Sequence, residues 1–428
     1  MEIELVRLIL QVGLVLLVAK LGGEIFGRYL KQPVVLGELM GGMLIGPYAL
    51  GGIIPIPYLG HLFAESGVEG MPISIGLHAL SQIGVIILLF TIGLEADLRG
   101  LIKYGSRSLL IALGGVIVPF VLGDITAVLF GLAEGISAPP ALFMGAIMTA
   151  TSVGITTRVL RDVGKLRTPE GVTILGSAII DDVLGILVLT IVVNLAQRGS
   201  FKPFGILFTI GEALIFWFAL TGLSILLSQY ISRILKSFRS SGAITALGLA
   251  LVFIAAAVAE LFGLAAIIGA FSIGLGLSNS EIARPLRERL EPIYDFFVPI
   301  FFAVIGMMLD FHAVGGLLLF GLIVVVFAIL AKLLGCGLPS LGLGFNKVGA
   351  TRIGFGMSPR GEVALVIAGI GLAGGVINSD MFGITVIMVF ITALVTPPIL
   401  LFTFRHGGAG WKRGVTQDGG GARDDEHQ

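Results

Sequence analysis

Residues 171–196 read GVTILGSAIIDDVLGILVLTIVVNLA. The run is long enough to cross a bilayer as a helix, which takes about 20 mainly apolar residues. Its two charges, Asp181 and Asp182, stand side by side near its middle. By insertion scales each carboxylate at that depth costs about 2.5–3.5 kcal/mol, and ionisable residues inside spans mark ion or proton pathways. A fold that keeps both aspartates there must supply partners for them.

The rest of the chain is of the same kind. Of its 428 residues, 56% are hydrophobic and 13% charged, and the mean hydropathy is +1.04. A soluble domain carries about 25% charged residues, so most of this surface faces lipid. Lys+Arg and Asp+Glu both number 27, which leaves no net charge to draw in nucleic acid. One cysteine, Cys336, excludes an intrachain disulfide framework. The 63 glycines suit closely packed membrane helices. The opening MEIELVR carries two glutamates and one arginine. It reads as the outer end of a first span rather than as a signal peptide, which opens with a positive region.

Apolar stretches recur at roughly 4–27, 33–47, 76–96, 108–131, 141–157, 171–196, 204–230, 242–261, 263–279, 293–309, 313–335, 347–374 and 380–404, giving about thirteen transmembrane helices. With the N-terminus outside, 21 of the 27 Lys and Arg residues fall in inner loops and the tail. Only Arg7, Arg198 and Lys202 fall outside. The positive-inside rule then predicts a multi-pass protein of the cell (cytoplasmic) membrane with its C-terminus inside.

The spans divide into repeat one (about 1–197), a linker helix (about 203–230) and repeat two (about 242–404), which together form a single membrane unit. A cytoplasmic tail, 405–428, is rich in glycine and charge and is expected to be disordered. Equivalent spans of the two repeats run in opposite directions, which is the inverted repeat of many secondary transporters. The fifth and twelfth spans are then equivalent. The fifth contains Thr149-Ala150-Thr151-Ser152-Val153-Gly154 and the twelfth Gly354-Phe355-Gly356-Met357-Ser358-Pro359-Arg360-Gly361-Glu362. Glycine and proline break a helix, and the freed backbone groups cannot be left facing lipid. Interrupted helices in matching positions point to an ion site.

Adjacent residues on a helix point about 100° apart, so the two aspartates do not easily share a partner. One can face the interrupted fifth span and the other a cation, for which Lys332 of the eleventh span is available. Buried carboxylate oxygens are relieved by a proton or by a hard cation such as Na⁺. Competition for one site that opens to two sides in turn is antiport. Arg360 and Glu362 read as structural charges at the twelfth-span break, with Glu38 a candidate partner for one of them. Asp124 reads as a packing or dimer-surface residue, and His61, His78 and Cys336 as bystanders. No cofactor is called for; the ligands are the transported Na⁺ and H⁺.

At these motifs the chain resembles the monovalent cation:proton antiporter-2 family, and more narrowly its NapA-like Na⁺/H⁺ antiporters. The resemblance spans nearly the whole membrane portion. It rests on Gly37-Glu38-Leu39 with Gly46-Pro47, Thr151-Ser152-Val153-Gly154-Ile155-Thr156, Asp181-Asp182, Lys332 and Pro359-Arg360-Gly361-Glu362. It implies an all-α polytopic fold with crossed broken helices (NhaA/NapA-like), a six-helix core domain, a dimerisation domain and a homodimer. It also implies elevator-type exchange of Na⁺ or Li⁺ for H⁺ in the service of pH homeostasis. Carried over by position, Asp182 is the essential ion- and proton-binding carboxylate, Asp181 pairs with Lys332, and Thr151 and Ser152 complete the Na⁺ shell. The Kef-like K⁺ branch resembles this chain less, having an uncharged residue where Asp181 stands. A K⁺/H⁺ antiporter is the nearest alternative. An intramembrane aspartyl protease using Asp124 and Asp182 is a remote one, since it leaves Lys332 and both broken spans unexplained.

Overall fold

The computed structural model describes residues 2–53, 55–56, 60–63, 73–198, 203–238, 242–262, 265–308 and 318–412. Among these, eleven helices are long and apolar enough to cross a membrane, and Ala266–Leu277 and Val363–Leu372 are shorter apolar helices. The strands among the described residues are Pro55–Ile56 and Gly60–His61, an antiparallel pair. The protein is an all-helical, multi-pass membrane protein.

Helices are numbered α1 Glu2–Glu24, α2 Val34–Ile45, α3 Ile75–Glu95, α4 Leu98–Leu129, α5 Pro139–Thr149, α6 Val153–Asp162, α7 Pro169–Arg198 and α8 Pro203–Ser237. There follow α9 Ala243–Leu261, α10 Ala266–Leu277, α11 Ala283–Met307, α12 Leu318–Lys332, α13 Lys347–Gly356, α14 Glu362–Ala373 and α15 Ser379–His406. Local chemistry sets many of their starts. Prolines open α5, where a missing N–H costs nothing. Asn346 and Asn378 cap α13 and α15 by accepting the amides of Gly349 and Met381, each at 3.0 Å.

The expected fifth and twelfth spans are each two half-helices, α5/α6 and α13/α14. Two starts differ most from expectation. The fourth span begins at Leu98 rather than 108, and the tenth at Ala283 rather than 293. Both extra segments carry basic residues, because backbone hydrogen bonding carries a helix past the apolar zone that hydropathy detects. The tail also starts later than expected. α15 continues to His406, and residues 407–412 dock on the bundle. Trp411 meets the rings of Phe345 and Tyr104 edge-on, at 4.8 and 5.8 Å between centroids, and the Asn346 side-chain amide donates to Ala409 O at 2.6 Å. Residues 413–428 lie outside the described residues.

The helices pack as two bundles. One holds α4, α5, α6, α7, α12, α13, α14 and α15; the other holds α1, α2, α3, α8, α9, α10 and α11. Packing in lipid rests on close approach rather than on hydrophobic transfer. A Cβ on Gly274 of α10 would sit 2.9 Å from the Cα of Gly93 in α3, so small residues set that contact. Among the described residues the bundles meet where α6 lies against α2 and α3, α7 against α8, and α15 against α2.

Candidate ion site

The two breaks lie against each other in the first bundle. Residues 150–152 separate α5 from α6, and Ser152 caps α6 by accepting Ile155 N at 3.4 Å. Residues 357–361 separate α13 from α14. The amide of Ser152 donates to Pro359 O at 2.7 Å, joining one break to the other directly. Carbonyls released where α13 ends are taken up one by one. Ser358 Oγ donates to Gly354 O at 2.7 Å, Thr156 Oγ1 to Gly356 O at 2.7 Å, and Thr151 Oγ1 to Met357 O at 3.3 Å. Irregular backbone at membrane depth survives because it is enclosed in protein and its polar groups are paired.

Arg360 is the second clasp. Its side chain is 0% exposed. Nη1 donates to Met357 O at 3.3 Å and Ser358 O at 3.2 Å, and Nη2 to Ala328 O of α12 at 3.2 Å. Its own amide donates to Thr392 Oγ1 of α15 at 3.1 Å. The guanidinium therefore lies at the negative end of half-helix α13. Glu362 opens α14, and its side chain lies outside the described residues.

Asp181 faces this region from α7, and it and the next residue, Asp182, are 2% and 5% exposed. Lys332, the last residue of α12, is 0% exposed. Its ammonium donates to both Asp181 oxygens, at 3.1 and 3.3 Å, and the Thr151 side chain lies close to Asp181. Lys332 is thus not extended to an interface. The structure brings Asp181, Lys332, Thr151, Ser152 and Arg360 into one neighbourhood, with Asp182 the next residue along α7.

Glu38 is elsewhere. It lies 3.8 Å from Arg158, because α2 belongs to the second bundle and meets α6 there. Asp124 is buried against Gly145, and His61 is exposed. The sequence reading missed Gly115 of α4, where a Cβ would come 3.4 Å from Lys332 Nζ and also strike Cys336 Sγ. It missed the π-helical turn Leu333–Gly337 that follows Lys332. The glycines of Leu333-Leu334-Gly335-Cys336-Gly337 and Gly114-Gly115 were the available signal, but helix-packing glycines are common in membranes. Arg158 and Arg352, counted as loop charges, are buried in half-helices. Arg352 Nη1 donates to Glu170 Oε1 at 2.6 Å.

Apolar spans, two interrupted helices meeting at their breaks, and carboxylates buried beside a lysine define a membrane ion transporter of the secondary class. The chain belongs to the family described as sodium/hydrogen exchanger, transmembrane, whose profile matches residues 13–406. It is 38% identical over 395 residues to the Na(+)/H(+)-K(+) antiporter GerN of Bacillus cereus, covering 92% of this chain and 95% of that protein. To the high-affinity Na(+)/H(+) antiporter NhaS3 of Synechocystis it is 35% identical over 422 residues, covering 94% and 90%. The fold matches the sodium proton antiporter MjNhaP1 of Methanocaldococcus jannaschii with a TM-score of 0.68 at 19% identity, over 94% of this chain and 97% of that one. These findings agree with the resemblance seen at the motifs. The relatives are transporters, which sets aside the aspartyl protease.

Proposed function

We propose that the protein exchanges Na⁺ (or Li⁺) for H⁺ across the cell membrane, with Asp182 as the carboxylate for which proton and cation compete. The observation that carries this reading is the Lys332–Asp181 pair, 3.1 Å apart and closed to solvent, beside the clasped breaks. Asp181 is committed to a fixed internal cation, while its neighbour Asp182 sits at the same depth. Na⁺ prefers oxygen ligands, and Asp182, Thr151 and Ser152 are the oxygens this site offers. A proton on Asp182 and a bare cation beside it are alternatives, which couples the two fluxes without another energy source. Transport follows when the first bundle, carrying the site, moves against the second in an elevator-type step, with two copies joined as a homodimer through the second bundle. The N-terminus lies outside and the C-terminus inside, so α6 runs from the break toward the cytoplasm.

Dye-reported proton movement in proteoliposomes, driven in turn by Na⁺, Li⁺ and K⁺, tests the proposal. Response to Na⁺ and Li⁺ alone supports it; no response to any cation removes it. A second reading, K⁺/H⁺ exchange at the same site, is favoured by the inclusion of K⁺ in the printed name of GerN. A K⁺ response equal to that for Na⁺ would establish it.

A further inference from the structure

A second buried charge cluster lies where α6 passes against the other bundle. From α6, Arg158 Nη1 donates to Tyr294 Oη of α11 at 2.9 Å and its Nε to Asp162 at 3.2 Å. Arg161 Nε donates to Glu95 Oε1 of α3 at 3.2 Å, and its guanidinium lies 4.1 Å from the Tyr294 ring centroid. Arg287 of α11 approaches the same Glu95 oxygen at 3.8 Å. Two ion pairs join the bundles, Arg158–Glu38 and Arg161–Glu95, and both start on α6. α6 is also the half-helix whose first turn is the Ser152 cap at the break, so this cluster and the ion site share one short rigid rod.

Glu38 is the anomaly in the cluster. It is fully buried on α2, and neither carboxylate oxygen accepts a hydrogen bond. Its contact with Arg158 Nη2, at 3.8 Å, is too long for one. A charged group this deep and this poorly satisfied calls for a physical reason, because burying a charge without hydrogen bonds is costly. Arg158 meanwhile spends its Nη1 donor on a neutral phenol. A carboxylate would hold that guanidinium more strongly, and Glu38 is less than one side-chain rearrangement away. Both Tyr294 and Glu38 belong to the second bundle, but on different helices, so a slide of α6 exchanges one for the other.

We propose that Arg158 is a two-position latch between the bundles. Tyr294 holds it in the arrangement described here, and Glu38 takes it when the bundle bearing Asp181 and Asp182 shifts. This rests on the moving-bundle reading above and adds to it the contact that defines each end of the stroke. Discrete interface contacts of this sort make a two-state transition rather than a continuous drift. Glu38, held here at ion-pair distance without a hydrogen bond, is then the seat that closes on Arg158 in the second state.

The test is a pulsed electron-spin distance measurement on the full chain in liposomes. Labels go on Arg99→Cys at the start of α4 and Glu291→Cys on α11, in a Cys336→Ala background and diluted with unlabelled chain. The unmodified latch should give two distances. Tyr294→Phe should move the ratio of the two populations about tenfold away from the arrangement described, and Glu38→Gln about tenfold toward it, each variant losing one hydrogen bond to a charged group. Both changes keep side-chain shape, and unaltered helical circular dichroism confirms folding. Two distances with shifts in the same direction, or with no shift, would overturn the latch and leave bundle movement standing. One distance that neither Na⁺ nor pH alters would overturn the movement itself, and the latch with it.

Discussion

At the scale of single residues, the proposed ion site sets a fixed charge against an exchangeable one. Lys332 and Asp181 satisfy each other across 3.1 and 3.3 Å in a place closed to water. Removing one member of a buried pair strands the other, which costs about 3–5 kcal/mol in soluble proteins. Lys332→Ala should therefore lower the melting temperature sharply and restore stability at low pH, where Asp181 can be protonated; thermal unfolding in detergent at two pH values checks this. Asp182→Asn keeps the shape and removes the charge. Exchange should fall to the level of empty liposomes while the unfolding temperature holds or rises. The aspartates and the lysine were legible in the sequence because a charge inside an apolar run has no ordinary explanation. Gly115 was not, because its role comes from a distance to Cys336 and Lys332 across two helices. A Gly115→Val side chain would displace that pair, so it should reduce both stability and turnover; parallel unfolding and flux assays would show it. Glu38 was read as a candidate partner of Arg360 or Glu362, and the ion-pair contact it makes is with Arg158.

At the scale of helices, the two breaks are solved by pairing rather than by exposure. Hydroxyls of Thr151, Thr156 and Ser358 and the guanidinium of Arg360 take the carbonyls that α13 releases. Each buried carbonyl left unpaired costs about 1–3 kcal/mol. Arg360→Ala should thus destabilise the protein by several such increments and slow exchange. Arg360→Lys, which keeps the charge but loses the planar fork, should recover only part of the stability. Melting curves of both variants decide this, and equal curves for wild type and Arg360→Ala would remove the clasp. Proline and glycine announced the breaks, and the inverted repeat placed them together. Which carbonyls Thr151 and Thr156 serve could not be read, since those bonds link residues 206 and 200 positions apart and depend on ångström-scale register.

At the scale of the whole molecule, polar clasps hold the site-bearing bundle together internally, while among the described residues α6 carries two ion pairs across to the other. That distribution suits a site-bearing body that moves against a partner. Hydropathy and loop charge recovered nearly every helix because both are sums over many residues. They erred at Leu98 and Ala283, where helices outrun the apolar zone, and at residues 405–412, where Trp411 anchors a stretch that composition alone would leave free. Buried arginines also entered the loop count, as Arg158 and Arg352 show, so the charge bias supports orientation with fewer residues than it first offered.

The proposed bond between this architecture and antiport is the exclusion of H⁺ by Na⁺ at one carboxylate. Proton release on adding Na⁺ to purified, weakly buffered protein measures it directly, without gradients or vesicles. Wild type should release protons as Na⁺ binds, with the apparent affinity weakening as pH falls, and Asp182→Asn should release none. Na⁺ binding without proton release, or equal release from Asp182→Asn, would contradict the account.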